Sequence, residues 1–145
     1  GFSMLAHTAP REGEVAVNDI LGKEDRMHYN AIPGVVYTNP EVAGVGVTEA
    51  EAEKKGLDYV ALKLPMAYAG RFVAENERGE GLCKVIVDGK DHRVLGVHML
   101  GNPCSEMIHG ACIAIEQGMT VEQLKKVVFP HPTVSEIFKE TAFRL

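Results

Sequence analysis

The spacing of apolar positions changes twice along the chain, dividing it into a helical start, a strand-rich middle and a helical end. Residues 5–21 read as a helix, with Gly22 as its stop. Pro10 falls past the first turn of a helix begun at Leu5, where it removes a ladder hydrogen bond and predicts a kink. Residues 23–32 make a polar connector ending in the turn signal Pro33-Gly34. Residues 35–38 and 42–47 read as strands interrupted by Asn39-Pro40. Gly44 and Gly46 alternate with Val45 and Val47, which predicts one strand face pressed close to another backbone. Thr48-Glu49-Ala50-Glu51 is a capping box and Gly56 a C-terminal stop, so a short helix lies between them. Strands are expected at 59–64, 69–74, 82–87 and 94–100, with turns at Asn76-Glu77-Arg78-Gly79 and Asp88-Gly89-Lys90-Asp91. Such short loops exclude parallel crossovers and predict an antiparallel meander.

The last third is helical. Residues 105–117 carry Met107, Ile108, Ala111, Cys112, Ile113, Ala114 and Ile115, too many for one stripe. That excess predicts burial on more than one side, by the sheet and by a candidate second subunit. Thr120 with Gln123 caps another helix ending near Val128, and Thr133 starts a last one. The expected class is α+β: an antiparallel sheet with helices on one face.

A chain of 145 residues fits one domain with a real core. Fifteen basic residues against 20 acidic ones leave a net charge of -5, with no basic tract. That balance argues against nucleic acid and against anionic membrane surfaces as partners. No apolar stretch is long enough to span a bilayer, and Gly1-Phe2-Ser3-Met4 shows no signal-peptide pattern. Three cysteines (Cys83, Cys104, Cys112) without CxxC spacing favour a reducing compartment over a disulfide framework. Met4-Leu5-Ala6-His7 reads as the beginning of a helix with nothing before it to rest against, which suggests a fragment of a longer chain.

The candidate chemistry lies near the C-terminus, in His131-Pro132-Thr133-Val134-Ser135-Glu136. Pro130 and Pro132 stiffen the backbone on either side of the histidine, and an X-Pro bond that is cis turns the chain sharply. Histidine titrates near neutrality, and a carboxylate five residues on would orient it. Against this, Thr133-x-x-Glu136 is itself a capping box, so Glu136 has a purely structural reading. On local grounds that reading weighs more, because capping boxes are common and dyads rare. His28 lies in the connector, His92 in a hairpin turn and His98 in an apolar strand; none makes a metal-ligand pair, and no metal is expected. His109 and Cys112 share a helix face at an offset of three, with core packing the favoured explanation over a nucleophile and base. The glycines at 44 and 46 do not make a dinucleotide fingerprint, since the third glycine is missing.

Four ordered stretches carry a resemblance that alters this balance. Met4-Leu5-Ala6-His7, residues 33–49 (PGVVYTNPEVAGVGVTE), residues 94–101 (VLGVHMLG), and His131-Pro132-Thr133 with Ser135 and Glu136 together resemble the C-terminal part of the pyridine nucleotide-disulfide oxidoreductases. Within that family the dihydrolipoamide dehydrogenase type is the nearest; glutathione and mercuric reductase types come next. A stand-alone binding or scaffolding module is the reading from outside the family.

The resemblance implies that residues 1–22 are a remnant of an FAD-binding domain and residues 23–145 an interface domain. It implies a homodimeric parent passing electrons from a dithiol, through a redox cysteine pair and FAD, to NAD. His131 would be the acid–base residue and Glu136 its orienter, both supplied to the other subunit, with the His131-Pro132 bond cis. Met4, Leu5, Ala6 and His7 would meet the flavin. A 2-oxoacid dehydrogenase complex is the implied assembly, in the cytoplasm or the mitochondrial matrix. The chain holds no GxGxxG and no CxxxxC pair, so by itself it is expected to bind neither cofactor and to be inactive. Pro10 departs from the acidic or basic residue usual in the family at that position.

Overall fold

The computed structural model describes residues 3–145. Helix α1 (Ala9–Ile20) is followed by strands β1 (Gly34–Val36) and β2 (Val42–Gly46), helix α2 (Glu49–Lys54) and strand β3 (Tyr59–Pro65). Helix α3 (Gly70–Glu75), strands β4 (Leu82–Asp88) and β5 (Val94–Leu100), and helices α4 (Cys104–Glu116), α5 (Val121–Lys125) and α6 (Glu136–Ala142) complete the chain. The strands form one antiparallel sheet in the order β1-β2-β5-β4-β3. The α+β class expected from the sequence is therefore the one observed.

The expected meander is only partly present. Residues 69–74 are not a strand: Ala69 is the N-cap and 70–74 lie in α3, because Ala69 and Phe72 are both buried and lie three apart, a helical interval. β3 thus pairs directly with β4 across a helical excursion, and Asn76–Gly79 is not a hairpin turn. β2 skips over two strands of sequence to pair with β5, a long-range pairing with no local signal. The turn at Asp88 is a true hairpin, with Asp88 Oδ1 accepting the amides of Lys90 and Asp91.

Close approach of backbones explains the glycines. A Cβ on Gly46 would lie 2.1 Å from the Leu95 carbonyl, and one on Gly96 would lie 2.0 Å from the Val47 carbonyl. Gly46 thus meets another backbone as predicted, whereas Gly44 faces the His98 ring, whose Nδ1 would lie 2.6 Å from a Cβ there.

Val45, Val85, Val97 and Met99 fill one sheet face, against which α4 and α6 are laid. α4 buries Cys104, Met107, Ile108, Ala111, Ala114 and Ile115, while Ile113 on its outer side stays 50% exposed. Cys112 is half-buried against the core as expected, but His109 is not a core residue: it faces outward beside Gly110 and Ile113. Glu41, just before β2, accepts the Ser105 amide, capping a helix whose own N-cap, Pro103, has no side-chain acceptor.

The first helix also differs from expectation. It starts at Ala9 rather than Leu5, so Pro10 sits in the first turn, where its missing N–H costs nothing and no kink arises. None of its residues is buried, and Val17, Ile20 and Leu21 are exposed. Exposed bonds such as Arg11 to Asp25 and Tyr29 to Glu12, and the part-buried bond from Asn18 to Asp25, tie it to the connector.

Candidate active site

The segment between α5 and α6 has no regular secondary structure at Val128–Pro130 and bends at His131 and Pro132. Both prolines lack an N–H, so few backbone donors remain to hold the turn. The His131-Pro132 bond is cis. α6 begins only at Glu136, with Ser135 at the N-cap position and no side-chain cap, so Thr133 does not start the helix as expected. Burial sets that register: Val134, Ile137 and Phe138 all enter the core.

Glu136 meets two donors. Its Oε1 lies 2.9 Å from His131 Nδ1, and its Oε2 accepts the Thr133 amide at 2.9 Å. The Thr133 amide first, then the His131 bond, holds the Glu136 carboxyl below its usual range. An ionised carboxylate only accepts hydrogen bonds, so Nδ1 is the donor, and in the neutral ring the lone pair lies on Nε2. The imidazole is 80% exposed while the carboxylate is 24% exposed. A fixed, outward-facing base is the chemical result.

The dyad and the cap are therefore one arrangement, made by two oxygens of one carboxylate. Half of the expected capping box is present, the Glu136–Thr133 amide bond. The other half is replaced, because Thr133 Oγ1 donates to the Pro130 carbonyl at 2.8 Å. That bond was not foreseen from the sequence, where Thr133 reads as an N-cap.

Beside this turn runs an apolar groove of about 380 Å³, lined by Met107, Ile113, Leu124, Val128, Phe129 and Phe138. Pro130 and Ser135 form its rim, so His131 stands at the edge of an uncovered apolar surface. Val128 is 88% exposed. Lys139 lies over the Phe129 and Phe143 rings, 5.8 and 5.6 Å from their centroids.

Met4, Leu5, Ala6 and His7 are exposed and lie ahead of α1, the last two in a turn. The His7 ring contacts the Pro33 carbonyl at 2.9 Å. Among the described residues no hydrogen bond joins these four to His131 or Glu136. Three other histidines are engaged elsewhere: His28 with Glu116, His92 with Glu122, and His98 with the Val47 carbonyl. Among the described residues no three His, Cys, Asp or Glu side chains gather around a metal site. Burial pushes the Cys83 thiol up to about 12 and Cys104 up to about 11, so neither is poised as a nucleophile.

Residues 32–142 match the family described as pyridine nucleotide-disulphide oxidoreductase, dimerisation domain. The mitochondrial dihydrolipoyl dehydrogenase of Caenorhabditis elegans is 42% identical over 137 residues, covering 94% of this chain and 28% of that protein. The crystal structure of LpdA from Mycobacterium tuberculosis superimposes with a TM-score of 0.91 at 25% identity, covering 99% of this chain and 31% of that one. The HOCl-induced flavoprotein disulfide reductase RclA from Escherichia coli gives a TM-score of 0.79 at 28% identity, over 90% of this chain and 30% of that one. The chain thus spans under a third of the length of each.

Proposed function

We propose a function that starts from one premise: the chain belongs to the pyridine nucleotide-disulphide oxidoreductase family, as its dimerisation domain. In this reading residues 23–145 are the interface domain of a dihydrolipoyl dehydrogenase-type homodimer, and residues 1–22 end its FAD-binding domain. The identity with the C. elegans enzyme supports that type over the glutathione and mercuric reductase types. The uncovered apolar positions of α1 support the domain division.

His131 is the acid–base residue of the parent enzyme. Its Nε2 takes the proton of a substrate dithiol, because a thiolate attacks a disulfide and a thiol does not. The new sulfur–sulfur bond forms as the cysteine–cysteine bond breaks. Glu136 holds the ring in the Nδ1–H form and stabilises the imidazolium that results. The observation that carries this reading is the outward Nε2 of a ring fixed from behind, at the rim of an apolar groove. Burial raises the thiols of Cys83, Cys104 and Cys112, so the disulfide is taken to come from outside this domain, and the family resemblance assigns it to the partner subunit. FAD, when bound, supplies a two-electron relay from the dithiol to NAD. Met4, Leu5, Ala6 and His7 would contact it from their exposed stretch, a placement that suits a group approaching from outside this domain. A 2-oxoacid dehydrogenase complex is the proposed assembly, in the bacterial cytoplasm or the mitochondrial matrix.

The test is His131→Ala in the full-length flavoenzyme. Dithiol oxidation should slow by at least the ~10²- to 10⁴-fold typical of a general base, with FAD retained. Turnover near that of the wild type would contradict the assignment.

A further inference from the structure

We propose that Thr133 is a positioning residue for His131, acting through its hydroxyl; the inference rests on the acid–base role given to His131 above. A four-residue turn from Pro130 to Thr133 is ordinarily closed by the amide of its last residue donating to the carbonyl of its first. Here the Thr133 hydroxyl makes that closure, donating to the Pro130 carbonyl at 2.8 Å. The Thr133 amide is thereby free and donates instead to Glu136 Oε2 at 2.9 Å. Glu136 in turn holds His131 Nδ1 at 2.9 Å.

One residue therefore fixes the turn on both sides of the imidazole. Its hydroxyl holds the residue before the histidine, and its amide holds the histidine's carboxylate. Pro132 has no N–H to share this work. Remove the hydroxyl and a single amide faces two acceptors, the Pro130 carbonyl and the Glu136 carboxylate. Whatever it gives to the carbonyl it takes from the carboxylate, and the ring loses its fixed tautomer. The imidazole itself is 80% exposed, so few other contacts restrain it.

Thr133→Val keeps the branched shape and removes only the hydroxyl; Thr133→Ser restores the hydroxyl. In the full-length flavoenzyme, Thr133→Val should lower kcat about tenfold, short of the ~10² that a 1 Å misplacement costs. KM, FAD content and dimer state should stay as in the wild type, and Thr133→Ser should restore kcat to within about twofold of the wild type. In this 145-residue chain, imidazole ¹⁵N shifts of His131 should show one Nδ1–H tautomer for wild type and Thr133→Ser, and a mixture for Thr133→Val. Unchanged kcat and tautomer in Thr133→Val, with His131→Ala still slow, would overturn this inference and leave the role of His131 standing. Equal losses in the Val and Ser variants would overturn it too, since the hydroxyl would then not be the cause. A fast His131→Ala enzyme would remove the reading beneath, even if the tautomer shifted as expected.

Discussion

His131 and Glu136 are five residues apart in sequence and 2.9 Å apart in space, with the carboxylate in the first turn of α6 and the ring in the turn before it. The pair needs no distant element to form. The helix start that Val134, Ile137 and Phe138 impose by burial also places the carboxylate. Orientation of the base is thus coupled to packing of the C-terminal helix.

That coupling has a pH signature. The folded chain holds the Glu136 carboxyl below its ordinary value of 4.5, through the Thr133 amide and His131. A group lowered on folding stabilises the protein above its unfolded value, and the contribution is lost as pH falls through the folded value. Glu136→Gln should therefore flatten the acid side of the stability curve relative to wild type, below about pH 4.5. Thermal unfolding of both chains between pH 7 and pH 3 checks this. Parallel curves would show that the carboxylate contributes nothing through its charge.

The contact between β2 and β5 makes a sharper mutational prediction. Gly96→Ala would put a Cβ 2.0 Å from the Val47 carbonyl and 3.1 Å from its nitrogen, all backbone that cannot step aside. The cost should reach or exceed about 3 kcal/mol, the upper end of ordinary overpacking. Gly110→Ala is the control: nothing lies within 4 Å of that position on α4, so removing a helical glycine should stabilise by about 0.5–1 kcal/mol. Denaturant unfolding of the two variants should move in opposite directions.

Removal of residues 1–22 tests the proposed domain division. α1 buries none of its residues, and its ties to the connector include surface pairs such as Arg11–Asp25. Pairs of that kind contribute about 1 kcal/mol or less. The shortened chain should unfold cooperatively, with its stability lowered by no more than about 2 kcal/mol, which allows for Thr8, buried at the N-cap. Loss of the cooperative transition would make α1 part of this domain.

Much of this arrangement was legible in the sequence where the signals are local. The His131–Glu136 spacing and the capping boxes at Thr48 and Thr120 act over a few residues, and all appear. Residues 69–74 misled because Phe72 and Val73 suit a strand by propensity, while burial of Ala69 and Phe72 on one side chose a helix. Pairing of β2 with β5 depends on residues fifty or more apart in sequence, beyond the reach of a local pattern. Thr133 is ambiguous in the sequence for a related reason. Its hydroxyl could cap a helix or close a turn, and only the position of α6 in the core decides between them.

The central claim is that His131 completes a site on another subunit, and mixed dimers of the full-length flavoenzyme test it most directly. One variant carries His131→Ala, the other a serine in place of the attacked redox cysteine, and each alone is inactive. After the two are reassorted in equal amounts, half of the dimers contain one of each, and each such dimer has one intact shared site. Activity should then return to about a quarter of wild type, as a two-fold dimer with sites shared between subunits requires. If histidine and disulfide served the same subunit, every site would lack one of them and no activity would return.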